Sequence, residues 1–169
     1  MVSIHKKTIL IIKEESKLAD IVQACLIDLA DWNVLIAEAN FQGLQQAVFH
    51  QTDAIILIVS LSKIEEFIYL VEGMQQQNIN LYDAIISALY VTNFDEFIFL
   101  ENLKSEPKTK KIPVVLLTTQ PKWINLQYFQ RYQQVVGVLA NPPNPLLLPQ
   151  LLANLLGWDS NFSVVIREF

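Results

Sequence analysis

The sequence predicts a doubly wound α/β protein built on a mainly parallel sheet. Three observations carry that expectation. Short apolar, β-branched runs such as Thr8–Ile12, Ala54–Val59 and Val114–Leu117 recur along the chain. Between them lie segments whose apolar residues repeat at helical spacing. The strand-like runs are apolar at consecutive positions rather than alternating, which suits strands covered by helices on both faces.

The elements follow in order. Thr8–Ile12 reads as the first buried strand, opening onto the charged turn Lys13-Glu14-Glu15. Ser16 can cap the next helix, whose apolar positions are Leu18, Ile21, Val22, Cys25, Leu26 and Leu29. Trp32–Ala37 is a short second strand, and Phe41–His50 a helix with Leu44, Ala47 and Val48 inward. Thr52–Val59 is another buried strand. Ser62–Gln77 carries Ile64, Phe67, Ile68, Val71 and Met74 on one helical face. Tyr82–Leu89 is again strand-like, and Asp95–Ser105 is helical, ended by Pro107. Val114–Thr118 is the next strand, Asn125–Gln134 a weak helix, Val135–Leu139 the last core strand, and Leu146–Leu156 a helix stopped by Gly157. Residues 161–169 read as either an extra edge strand or a disordered end.

Composition narrows the function classes. The 169 residues suffice for one domain with a sizeable core. Apolar residues make up 52% and charged residues 17%, so the surface is short of charge and suited to docking or self-association. A net charge of −5 with no basic stripe argues against nucleic-acid binding. The one basic cluster, Lys108, Lys110 and Lys111, reads as a solvated loop. Cys25 is the single cysteine, so no disulfide framework or thiolate metal site is expected. No signal peptide and no run near the ~20 residues of a membrane helix is visible, so a cytoplasmic protein away from the membrane is expected.

Three segments together look like strands one, four and five of a response-regulator receiver domain: Thr8–Glu15, Lys108–Thr119 and Val135–Pro143. The Glu106-Pro107-Lys108-Thr109-Lys110-Lys111-Ile112-Pro113-Val114-Val115 stretch resembles the family most strongly. The resemblance implies a flavodoxin/CheY-like three-layer sandwich over residues 1–158. It also implies an acidic pair for Mg²⁺ after strand one, a phosphoacceptor aspartate ending strand three, Ser or Thr ending strand four, and Lys before a proline after strand five. The physical logic is that a hard cation needs carboxylate oxygens and the acceptor must be an ionised carboxylate.

This sequence departs from that pattern at nearly every position. The acid pair falls on Lys13 and Glu14, with Glu15 next. Asn141 replaces the lysine, and Val138 stands where the family's aromatic switch residue sits. Thr118 alone is retained. Strand three has two readings, 53–59 with Ile58 at the acceptor position and 83–89 with Ala88 there. The offset of about 30 residues is the size of one strand–helix unit, so an inserted β–α unit within about 52–88 and roughly six strands are expected. Ser60 and Ser87 are hydroxyls without a neighbouring base. His5 and His50 read as surface residues.

The expectation is therefore a degenerate pseudo-receiver, an atypical response regulator of two-component or phosphorelay signalling. It would be no enzyme, hold no metal or cofactor, and act through protein contact. The family's partner face would here include Trp123, Tyr128, Phe129, Tyr132, Val138 and Leu146–Leu152, and a homodimer is an expected alternative to a different protein partner. The rival reading is a small-ligand-binding or enzymatic flavodoxin-like domain whose strand-end crevice is lined by Glu14, Glu15, Ser87, Thr118 and Asn141.

Overall fold

The computed structural model describes residues 6–13, 18–59, 61–118, 132–140, 144 and 146–158, with residues 61 and 62 as backbone only. Five strands form one parallel sheet: β1 (Thr8–Lys13), β2 (Asn33–Glu38), β3 (Ala54–Ile58), β4 (Val114–Thr118) and β5 (Val135–Ala140). Their order is β2-β1-β3-β4-β5, so the chain winds to one side of β1 and then to the other. The strands are held in register by pairs such as Ile11 with Ile36, Ile11 with Ile56 and Leu57 with Leu116.

Both faces of the sheet are covered, as the unbroken apolar runs require. All five residues of β3 and of β4 are buried. On one face α1 (Leu18–Ala30) and α6 (Leu148–Leu156) enclose Ile9, Ile11, Ile56, Val115 and Leu117. On the other, α2 (Phe41–Phe49) and α5 (Asp95–Ser105) enclose Leu10, Ile12, Ile55, Leu57 and Leu116. Gly43 permits the tight turn into α2, because a Cβ there would overlap the Glu38 carbonyl oxygen and touch Phe99. Asn40 caps the same helix by accepting from the Gly43 N–H at 2.9 Å.

The expected sixth strand is not formed. Residues 82–89 lie in a helix, α4 (Leu81–Val91), and the third strand is the 53–59 segment. The inserted unit is therefore helical: α3 (Leu61–Gln76) and α4 form a hairpin that precedes α5. The reason is local. Asn80 accepts from the Asp83 N–H at 2.9 Å and donates to the Asp83 carboxylate at 2.8 Å, which starts a helix. The residues then buried, Ala84, Ile85, Ala88 and Leu89, share one helical face. Ala88 is thus a core residue of α4, and Ser87 is exposed on that helix; neither stands at a strand end.

Aromatic side chains fix the insertion to the rest. Phe94 meets Phe97 edge-on at 4.4 Å and Phe67 at 5.8 Å, and Phe97 lies 6.1 Å from Tyr132. Lys63 donates to the Thr92 carbonyl at 2.8 Å, placing a cation at the C-terminus of α4. Phe97→Ala is expected to lower stability by about 3–5 kcal/mol, and Gly43→Ala by about 1–3 kcal/mol, both measured by urea denaturation.

Candidate functional site

In a parallel sheet all strands end at one rim, and crossover loops gather there. Here that rim carries Lys13, Ile58, Thr118 and Ala140. Register sets their neighbours. Lys13 pairs with Glu38, Ile58 with Leu117, and Thr118 with Ala140. The Val59 N–H donates to the Leu117 carbonyl at 2.9 Å, so β3 and β4 remain bonded past Ile58.

Among the described residues the centre of the rim is buried. Ile58 is 8% exposed and packs on the α1–α6 side with Ala54 and Ile56. Val59 is buried against the other layer. Thr118 is fully buried, and its hydroxyl oxygen has no hydrogen-bond partner among the described residues. Lys13 is half-buried. Glu14, Glu15 and Asn141 lie outside the described residues, as do Ser16, Ser60, Trp123, Tyr128, Phe129, the expected helix at 125–134 up to residue 131, and the segment 159–169. Among the described residues no cluster of His, Cys, Asp or Glu is arranged to hold a metal ion.

The expected partner face is corrected at Tyr132 and, within Leu146–Leu152, at Leu148 and Leu152, which are buried in the α1–α6 layer. Tyr132 is 2% exposed, and its hydroxyl donates to Glu101 Oε1 at 2.6 Å while its ring packs near Phe97. A buried tyrosine needs a partner for its polar tip, and α5 supplies one. Val138 is half-buried against the α2–α5 layer. Leu146, Leu147 and Leu151 are exposed. The sequence reading missed a second exposed set: Tyr69 on α3 and Tyr82, Tyr90 and Val91 on α4. The signal was available in Asn80 and Asp83, which cap a helix whose buried face is Ala84, Ile85, Ala88 and Leu89 and which leaves Tyr82 and Tyr90 exposed. It also missed Glu96, fully buried in the first turn of α5, where the helix dipole favours an acid.

Lys108, Lys110 and Lys111 are exposed in the turn before β4. The turn is anchored from below by the Thr109 hydroxyl, which donates to the Leu103 carbonyl at 2.9 Å, and by Gln134 Nε2, which donates to the Ile112 carbonyl at 2.9 Å. Cys25 sits half-buried on α1. Burial pushes its thiol up, and the Asp28 charge adds to the effect.

Two measurements check this description. Thr118→Val keeps the shape and removes an unpartnered hydroxyl, so stability is expected to stay within about 1 kcal/mol or rise; a loss of several kcal/mol in thermal unfolding would contradict it. For Cys25 a raised pKa means less thiolate at a given pH. Iodoacetamide labelling is expected to be slower in the native protein than in urea, with its pH profile displaced upward.

The sequence matches no family model and no curated protein. Solved structures do share the fold. The chemotaxis response regulator CheY4 of Vibrio cholerae superposes with a TM-score of 0.60 at 20% identity, over 89% of this chain and 99% of that one. A putative response regulator from Chloroflexus aurantiacus J-10-fl gives 0.59 at 21%, over 90% and 99%. A sensor protein from Polaromonas sp. JS666 gives 0.60 at 16%, over 90% and 98%. The order 2-1-3-4-5, the helices on both faces and these likenesses together establish a CheY-like receiver fold, here enlarged by a helical hairpin after its third strand.

Proposed function

We propose that this chain is a pseudo-receiver: a receiver-fold protein that takes part in signal transduction by protein contact and accepts no phosphoryl group. The observation that carries the reading is the side chain at the end of β3. Ile58 occupies the strand end where the receiver resemblance calls for an aspartate, and it is packed into the α1–α6 layer. An alkyl side chain has no lone pair to attack phosphorus. Lys13, which replaces one of the metal-binding acids, opposes a divalent cation by charge.

The contact reading draws on the surface. The hairpin exposes Tyr69, Tyr82, Tyr90 and Val91, and the start of α6 exposes Leu146 and Leu147. Aromatic residues that reach the surface are the usual material of an interface core. Loss of rim chemistry and gain of an aromatic hairpin at the same strand end fit one account, in which the partner reads shape instead of charge. The protein is accordingly no enzyme in this reading.

Incubation with acetyl phosphate and Mg²⁺ followed by intact-mass measurement is expected to leave the protein unmodified. A stable single-phosphoryl adduct that persists in Thr118→Val would overturn the proposal.

A further inference from the structure

We infer that the outer face of α3 docks a basic segment of a partner protein, and that a groove beside Tyr69 takes one of its arginine side chains. The inference rests on the contact reading above and adds the chemistry of the partner.

Charge is unevenly distributed along the chain. Of the 17 acidic and 12 basic side chains, residues 61–105, which form α3, α4 and α5, hold seven acids and two bases. The remainder holds ten of each, so the whole net charge of −5 sits on these three helices. Their two bases are engaged. Lys63 donates to the Thr92 carbonyl at 2.8 Å, and Lys104 Nζ lies 6.0 Å from the Tyr132 ring centre. The acids are not hidden: Glu65, Glu66 and Glu72 are exposed on α3, Asp83 on α4 and Asp95 at the start of α5. Among the described residues no ion pair neutralises the three α3 carboxylates. Such a surface attracts cationic partners and repels anionic ones.

The groove sets which cation fits. It encloses about 320 Å³ and is lined by Tyr69, Leu70, Glu72, Gly73, Met74 and Gln76. Tyr69 is 77% exposed. Glu72 and Gly73 follow it by three and four residues, on the same side of the helix. Gly73 lies inside α3, and a Cβ built on it would meet nothing within 4 Å. Glycine is costly in a helix interior, and no neighbour in the fold requires it here. What it provides is a notch next to the tyrosine. The last turn of α3 has no basic side chain, although the helix dipole favours a cation there. An aromatic ring, a carboxylate, an amide oxygen and two apolar side chains around one groove match a guanidinium on its alkyl stem. An ammonium matches less well, because it lacks the planar group that stacks on a ring and bonds a carboxylate through two parallel N–H groups. Among the described residues every cation is a lysine, so no described part of this chain fills the role.

An amide-resolved NMR titration of the full chain tests this, with a capped peptide of alternating glycine and arginine and with its lysine counterpart. The arginine peptide is expected to shift the amides around residues 65–77, to saturate, and to bind about tenfold more weakly when low salt is raised to about 0.5 M. The lysine peptide should bind about fivefold more weakly than the arginine peptide. Gly73→Leu fills the notch, leaves the charge unchanged and installs a better helix former; it is expected to weaken the arginine peptide about tenfold. Glu72→Gln, a surface change that leaves the helix intact, should weaken it about threefold and lower the salt dependence. Absent or evenly spread shifts, equal binding of the two peptides, or undiminished binding to both variants would overturn the inference. So would a salt-sensitive dimeric mass by light scattering that Gly73→Leu abolishes, which would assign the groove to a second copy. The two readings fail separately: a protein that takes no phosphoryl group and shows no peptide shift remains a pseudo-receiver, but one without a basic partner at α3.

Discussion

The Ala54–Ile58 strand bonds to β1 on one side and β4 on the other, and every one of its side chains is buried. A strand enclosed on four sides accepts only apolar residues unless each polar group meets a partner. A carboxylate at its end would need a cation or a ring of donors to remain ionised. With Ile58 that requirement vanishes, and the strand end joins the core. The pairing that continues through Val59 and the buried Thr118 accompany an apolar third strand packed to its last residue.

What leaves that strand end is as consequential as what is missing from it. The polypeptide turns directly into α3 and returns through α4, so the two helices precede α5, which packs near α2 in the layer covering the sheet. The hairpin is not a loose appendage. Phe67, Phe94 and Phe97 interlock across α3, the α4–α5 turn and α5, and Lys63 ties the start of α3 to the end of α4. Its buried face is thus spent on the domain core, and its tyrosines are left facing outward.

Much of this was legible in the sequence. Strands buried on both faces leave a run of consecutive β-branched residues, so β1, β3 and β4 were read to within one or two residues, and the half-buried β5 was read from its apolar run. Helices α1, α2, α3, α5 and α6 were found through apolar spacing. Residues 82–89 misled because Ala84-Ile85-Ile86 and Ala88-Leu89 form an almost unbroken apolar stretch, which by itself fits a buried strand or a buried helix. The capping pair Asn80 and Asp83 would have decided it. Tyr132 misled for another reason: nothing in its neighbourhood announces that Glu101, 31 residues away, will stand opposite its hydroxyl.

The sequence by itself determined the doubly wound α/β class and the absence of an aspartate at the acceptor position of either candidate third strand, because burial patterns and residue identities are properties of the chain read locally. Only the tertiary structure decided which segment is that strand, that the inserted unit is helical, and which aromatic rings are core and which are surface. Those depend on the partners that distant segments bring to a given side chain: a carboxylate for Tyr132, a phenylalanine cluster for Phe67, and open solvent for Tyr90. Spacing along a helix can say that two residues share a face, but what that face meets is settled only when the layers pack.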